Sequence, residues 1–120
     1  MGRRWLTPTL WAILVLLSSS LPMPPIVAPV GADKGVHGVL YFGLGFLSGR
    51  ALLLGRTARV WHLLVLVLGL LAFGALDEVH QRWIPGRTAD RADWAADAVG
   101  SIAGIAASVV VTRSRTRHAA

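Results

Sequence analysis

The sequence predicts an all-α protein, a polytopic transmembrane four-helix bundle, from its composition and from the spacing of its charges. Of the 120 residues, 54% are hydrophobic and 15% are Asp, Glu, Lys or Arg. Soluble domains carry about 25% charged residues, so this chain has too few to cover a surface that faces water. Disorder is excluded because it requires low hydrophobicity. The chain has no cysteine, which excludes disulfides, thiol catalysis and cysteine-based zinc sites.

Four stretches that are nearly free of charge predict the helices. They cover residues 5–21, 36–49, 61–76 and 98–112. A hydrocarbon core of about 30 Å takes about 20 helical residues. The later stretches must therefore include polar neighbours, which predicts helices over about 5–21, 36–54, 61–81 and 93–112 in a single domain of residues 1–120. Helices are required because an open sheet leaves backbone groups unpaired in lipid.

The charges predict the orientation of these helices. One side of the predicted membrane holds eight arginines and no acid: Arg3, Arg4, Arg50, Arg56, Arg59, Arg113, Arg115 and Arg117. The other side holds all six acids together with Lys34, Arg82, Arg87 and Arg91. The positive-inside rule places both termini in the cytoplasm and the chain in the cell membrane as a multi-pass protein. Orientation alone explains the basic C-terminal tail, so we expect the lipid bilayer and no nucleic acid as its partner.

The first stretch has a second interpretation. Arg3 and Arg4, the apolar run and the segment Val30-Gly31-Ala32 are similar to a signal peptide with its cleavage site. A first helix that ends before the Pro24-Pro25 turn explains the same residues without cleavage. The orientation of the remaining helices is the same in both cases.

Small residues recur one helical turn apart on two of the predicted helices. The series are Gly45 and Gly49 on the second, and Ala92, Ala96, Gly100, Gly104 and Ser108 on the fourth. Small residues at this spacing let helices approach closely in a membrane. We therefore expect a close-packed bundle, with homo-oligomerisation through one such face as the alternative.

Polar residues gather where three predicted helices meet the outer face of the membrane, and they form the candidate ligand-binding set. The set is Asp33, Lys34, His37, Asp77, Glu78, His80, Gln81, Arg87, Asp93 and Asp97. The third and fourth helices are too short to span without drawing some of these groups into the hydrocarbon. Charges at that depth face a bundle interior or a wet cavity. The sequence therefore predicts a recessed, outward-facing acidic pocket, with Arg87 folded over it by the Pro85-Gly86 turn.

A structural role for the same residues stays open. Asp33, Asp93 and Asp97 are suited to the first turns of helices, and Asp77 and Glu78 to ion pairs with Arg82 or Arg87. In a functional role, the carboxylates and an imidazole would hold a hard divalent cation, with an arginine on a phosphate. Nucleophilic serine catalysis is not expected, because Ser18, Ser19 and Ser20 are interpreted as small residues near a helix end. The sequence does not decide whether a metal or cofactor binds.

Three ordered motifs resemble those of the VanZ-like family of small integral membrane proteins. Asp33-Lys34-x-x-His37 with Tyr41 resembles the first motif, and Asp77-Glu78-Val79-His80-Gln81 followed by Pro85-Gly86-Arg87 resembles the second. Asp93-x-x-x-Asp97-x-x-Gly100 resembles the third, with Asp97 where Asn is often found. The resemblance covers most of the chain, from Asp33 to about Gly104.

The resemblance implies a bacterial cell-envelope protein associated with resistance to teicoplanin, a lipid-tailed glycopeptide antibiotic that binds cell-wall precursors. Two functions from different classes follow. In the first, the acidic pocket binds a glycopeptide or a lipid-linked cell-wall precursor and lowers teicoplanin susceptibility without catalysis. In the second, the protein is a divalent-metal-dependent membrane enzyme that acts on a lipid phosphate or a lipid-linked cell-wall intermediate. A structural partner in a larger membrane assembly is a third possibility.

Overall fold

The computed structural model describes residues 2–22, 32–54, 58–87 and 89–120, without the side chains of residues 32 and 33. A 3₁₀ turn at Arg3–Trp5 leads into α1 (Leu6–Ser20), followed by α2 (Ala32–Leu53), α3 (Val60–Gln81) and α4 (Arg91–Ala119). The described chain is all helical, which confirms the predicted class and the number of helices. Residues 30 and 31 of the possible cleavage site and the Pro24-Pro25 turn fall outside what the structure describes, whereas Ala32 begins α2.

Three of the described helices, α2, α3 and α4, are long and apolar enough to cross a membrane. The prediction of four spans differs at α1, which has 15 residues and a length of about 22 Å. Its apolar run is longer than its helix, because Leu21 has extended backbone (ψ 134°) and the run begins in the tighter 3₁₀ turn.

Large apolar side chains cover the outside of the bundle. Val39, Leu68 and Val99 are 70%, 65% and 69% exposed. Water does not tolerate so much continuous apolar surface on a monomer, whereas lipid does. The buried apolar core is small by comparison and consists of Val15, Tyr41, Leu44, Leu70 and Ile105. This distribution identifies a membrane protein.

The closest helix pair is α2 with α4, and glycines make the approach possible. A Cβ atom on Gly45 would collide with the carbonyl group of Ser101. One on Gly104 would collide with the carbonyl oxygen of Phe42 and lie 2.7 Å from the Phe46 nitrogen. The spacing of small residues thus correctly predicted close packing: Gly100, Gly104 and Ser108 of the α4 series are buried against α2, whereas Ala92 is exposed.

Side-chain hydrogen bonds to backbone carbonyls attach the other helices. Trp11 Nε1 on α1 donates to the Leu40 oxygen of α2 at 2.8 Å, and Trp94 Nε1 on α4 donates to the Leu71 oxygen of α3 at 3.1 Å. The segment between α3 and α4 turns at Gly86, whose φ of 77° lies in the left-handed region that glycine adopts without strain. These contacts bring the last turns of α1 and α3 beside the first turns of α2 and α4.

Candidate functional site: a buried carboxylate cluster

Four carboxylates are buried where these helix ends meet, and we call them the carboxylate cluster. They are Asp77, Glu78, Asp93 and Asp97, with exposed fractions of 1%, 7%, 6% and 1%. The first two end α3 and the last two begin α4. Burying a carboxylate is costly unless hydrogen bonds or a positive charge compensate it. The hydrogen-bond and ion-pair partners of these carboxylates therefore indicate the chemistry of the site.

Two hydroxyl groups hold Asp77. Ser19 Oγ on α1 and Tyr41 Oη on α2 each donate to Asp77 Oδ2 at 3.0 Å. The structural interpretation of the sequence predicts an ion pair between Asp77 and Arg82 or Arg87. In the described structure, neither arginine lies within ion-pair distance of Asp77. Asp77 is thus compensated by hydrogen bonds, and these bonds join three helices.

His37 and Asp97 form a second connection, between α2 and α4. His37 Nδ1 lies 2.9 Å from Asp97 Oδ1, and both side chains are at least nine-tenths buried. They are 60 positions apart in the chain, and the close approach of α2 and α4 through glycine brings them together. An imidazole next to a carboxylate is a common arrangement in proton-transfer and metal sites.

The rim of the cluster lies near the start of α4. The Asp90 backbone N–H donates to Glu78 Oε2 at 3.1 Å, and Lys34 Nζ lies 3.3 Å from Asp90 Oδ2 and 3.4 Å from Asp93 Oδ1. Asp90 itself is the N-cap of α4 and accepts a bond from the Ala92 N–H. That bond and the nearby Lys34 ammonium hold the pKa of Asp90 below its ordinary value.

Several buried polar atoms of the site have no hydrogen-bond partner among the described residues. They are Asp77 Oδ1, Glu78 Oε1, Gln81 Nε2, Asp97 Oδ2 and Ser101 Oγ. Buried polar atoms are usually paired, so a group of such atoms indicates a missing water, ion or ligand. His37, Glu78 and Asp97 also offer one ligand atom each within 4.8 Å of one another, which is a possible metal-binding arrangement.

A cavity of about 270 Å³ lies beside Glu78, between the end of α3 and the start of α4. Its charged lining consists of Glu78, Arg82, Asp90 and Arg91, and its apolar lining of Ala75, Val79, Ala89 and Trp94. Both arginines are exposed. The cavity thus combines two guanidinium groups, two carboxylates and an aromatic ring.

The structure brings most of the candidate set together. Lys34, His37, Asp77, Glu78, Gln81, Asp93 and Asp97 lie in or at the rim of the cluster. His80 is exposed and lies 3.1 Å from Ser20 Oγ at the end of α1. Arg87 also turns to α1 and donates to the Leu21 oxygen at 2.9 Å and the Ser18 oxygen at 3.1 Å. The side chain of Asp33 is outside the described residues.

The sequence analysis did not predict that a serine of α1 contacts the carboxylate cluster or that two arginines line the cavity beside it. Ser19 was interpreted as a small residue, although it is the member of the Ser18–Ser20 run that faces Asp77. A run of three serines signals a polar helix end, but it does not say which one turns inward. Arg82 was considered only as a structural partner of the acids, and Arg91 was counted only as a charge on that side. Their position beside Glu78 depends on how α3 meets α4.

The fold and site define the class of this protein: a helical membrane protein with a cluster of carboxylates and an imidazole buried at one end. A family model described as VanZ/LLP1 matches residues 5–112, and the chain belongs to the VanZ/LLP1 family. This confirms the resemblance found in the motifs. No curated protein and no solved structure matches the chain.

Proposed function

We propose that this protein binds the anionic headgroup of a lipid-linked cell-wall precursor at the cavity between α3 and α4, and so lowers teicoplanin susceptibility. The observation that carries the proposal is the pair Arg82 and Arg91 in a cavity of about 270 Å³ beside the buried carboxylate Glu78. An arginine donates two parallel hydrogen bonds to a phosphate or carboxylate, which gives both affinity and orientation.

The remaining lining fits a headgroup of mixed chemistry. Glu78 and Asp90 accept hydrogen bonds from hydroxyl, amide or ammonium groups, while Trp94 offers an apolar face to a sugar or an acyl chain. A site for phosphate alone would not need two acids next to its arginines. The cavity therefore suits a ligand that carries an anionic group together with several hydrogen-bond donors.

The charge distribution supports placing this end of the bundle at the outer leaflet. The opposite end carries the basic residues that the positive-inside rule assigns to the cytoplasm. Lipid-linked precursors and lipid-tailed glycopeptides both present their headgroups at the outer leaflet. The same mixed lining also accepts a glycopeptide, so the experiment separates the two ligands.

The test compares binding and protection for matched variants in the same membrane. The site variant is Arg82→Gln with Arg91→Gln, and its charge-matched control is Arg115→Gln with Arg117→Gln on the exposed end of α4. Purified proteins in lipid nanodiscs are titrated separately with a lipid-linked precursor and with teicoplanin. Susceptibility is measured in a sensitive bacterium that expresses each variant at an equal membrane level.

The wild type and the control should bind the precursor and protect the cells. The site variant should bind at least ~10-fold more weakly, because a hydrogen bond to a charged group contributes about 1.5–3 kcal/mol. Binding of teicoplanin but not of the precursor would make the antibiotic the ligand. Equal binding by all three proteins would exclude this cavity as the site. Turnover of a lipid phosphate by the wild type would favour the metal-dependent enzyme.

A further inference from the structure

We propose that His37, Glu78 and Asp97 form a binding site for one divalent transition-metal cation, Zn²⁺ or Mn²⁺. The inference goes beyond the proposed function and does not depend on which headgroup occupies the neighbouring cavity. It rests on three features of these residues: the distances between their ligand atoms, the oxygen atoms left without partners, and the excess of buried negative charge.

The distances suit a single cation. Each of the three residues offers one nitrogen or oxygen atom, and these atoms lie within 4.8 Å of one another. Ligands on opposite sides of a cation, each at about 2.0–2.2 Å, are separated by about 4.0–4.4 Å. Separations of that size fall within the 4.8 Å that encloses the three ligand atoms. The three residues come from α2, α3 and α4, so the bundle itself sets their geometry.

Unpartnered oxygens supply an observation independent of the clustering. Glu78 Oε1 and Asp97 Oδ2 are buried and have no hydrogen-bond partner in the described part of the chain. The residues Glu78 and Asp97 are 7% and 1% exposed, and His37 is 8% exposed. A buried carboxylate oxygen without a partner loses its hydration without compensation. A cation bound to both oxygens would compensate the hydration that these oxygens lose on burial.

The distribution of charge in the cluster also favours a bound cation. Lys34 lies at the rim, on Asp90 and Asp93, whereas Asp77 is held by uncharged hydroxyl groups. Glu78 accepts a backbone N–H, and Asp97 contacts an imidazole. The inner part of the cluster thus gathers several carboxylates around one histidine, and a divalent cation at that point would compensate two negative charges.

The donor set selects the metal. One imidazole with two carboxylates suits Zn²⁺ and Mn²⁺, which accept mixed nitrogen and oxygen ligands. Ca²⁺ takes six to eight oxygens, and Mg²⁺ retains much of its water shell. Three protein ligands leave further coordination positions for water or a ligand oxygen. Glu78 also lines the cavity between α3 and α4, which gives the cation a route from solvent.

The experiment is a Mn²⁺ titration of the full chain in lipid nanodiscs after removal of metals with a chelator. Loss of the electron paramagnetic resonance signal of free Mn²⁺ reports binding, and Zn²⁺ is added as the competitor. Pulsed measurements on the bound Mn²⁺ then detect coupling to an imidazole nitrogen. The variants are Glu78→Gln, Asp97→Asn and His37→Asn. The matched control for His37→Asn is His62→Asn, on α3 at the opposite end of the bundle.

We expect about one Mn²⁺ per chain, displaced by Zn²⁺ and coupled to one imidazole nitrogen. Loss of a ligand should weaken binding at least ~10-fold, because even residues that only orient metal ligands cost 10- to 100-fold. His37→Asn should abolish the nitrogen coupling, and the His62→Asn control should match the wild type. Mn²⁺ binding and nitrogen coupling of the wild-type protein test the proposed site even if a variant fails to fold.

No Mn²⁺ or Zn²⁺ binding by the wild type would overturn the site. Binding without nitrogen coupling, or equal weakening by His62→Asn, would contradict the proposed set of three ligands. Headgroup binding that survives in the metal-free protein would leave the function proposed above intact. Failure of one proposal is therefore distinguishable from failure of the other.

Discussion

Replacing Gly104 by alanine tests the close packing of α2 against α4. The added methyl group would collide with the Phe42 carbonyl oxygen and lie 2.7 Å from the Phe46 nitrogen, both of them backbone atoms of α2. A side chain can rotate away from such a contact, but the backbone of a neighbouring helix cannot. The variant therefore forces α2 and α4 apart about two helical turns from the contact between His37 and Asp97. Gly69→Ala is the matched control, because nothing lies within 4 Å of its added Cβ.

The comparison of the two variants isolates the packing cost. Each gains up to about 1 kcal/mol from the higher helix propensity of alanine, so this gain cancels between them. What remains is the cost of overpacking, typically about 1–3 kcal/mol. Gly104→Ala should therefore be about 1–3 kcal/mol less stable than Gly69→Ala. It should also weaken the proposed metal binding, which requires His37 on α2 to lie close to Asp97 on α4.

The assay is reversible unfolding of the purified chain in mixed micelles, followed by tryptophan fluorescence. Trp11 and Trp94 both donate to the backbone of a neighbouring helix, so their emission responds when the helices separate. Equal stability of the two variants would refute the close approach of α2 and α4. So would a Gly104→Ala variant that is more stable than its control.

Three further predictions concern contacts around the cluster. Tyr41→Phe should lower the free energy of unfolding by about 1.5–3 kcal/mol in the same assay, because it removes a hydrogen bond to the buried Asp77; no loss would show that bond to be unimportant. Arg87→Ala should speed hydrogen exchange at the end of α1, where its side chain binds two carbonyls, and unchanged exchange there would contradict this. Because folding lowers the pKa of Asp90, its stabilising contribution is complete above the unfolded value of about 3.9 and is lost as the pH falls through the lowered value. Hydrogen exchange at the start of α4 should follow that loss in the wild type and not in Asp90→Asn.

Composition and the position of charges were enough to predict the helical class and the membrane environment. Both follow from local chemistry: a run of apolar residues is recognisable without knowing its neighbours, and the cost of burying charge in lipid limits where helices end. Glycine spacing similarly predicted the close approach later seen between α2 and α4. Seven of the candidate side chains lie in or at the rim of the cluster, and their role in ligand binding stays a prediction.

Helix lengths were predicted less well than helix existence. The apolar run of α1 continues past Ser20 but its helix does not, while α4 continues to Ala119 through a polar tail. An apolar run shows which residues can contact lipid. The position at which a helix ends depends on backbone geometry and on the hydrogen-bond partners of its last carbonyl groups. At α1 those partners include Arg87, which comes from a distant part of the chain.

The assignment of individual partners was decided only by the tertiary structure. Arg87 was predicted to cover the acidic pocket and instead binds the end of α1, while Arg82 and Arg91 line the cavity beside Glu78. Ser19 was not recognised as the group that meets Asp77. Sequence periodicity locates a side chain on the face of its own helix, but the rotation and approach of two helices depend on packing between them. The sequence by itself determined a helical membrane protein with acids gathered at one end, and the contact of four helix ends decided which of those acids are buried and what each one binds.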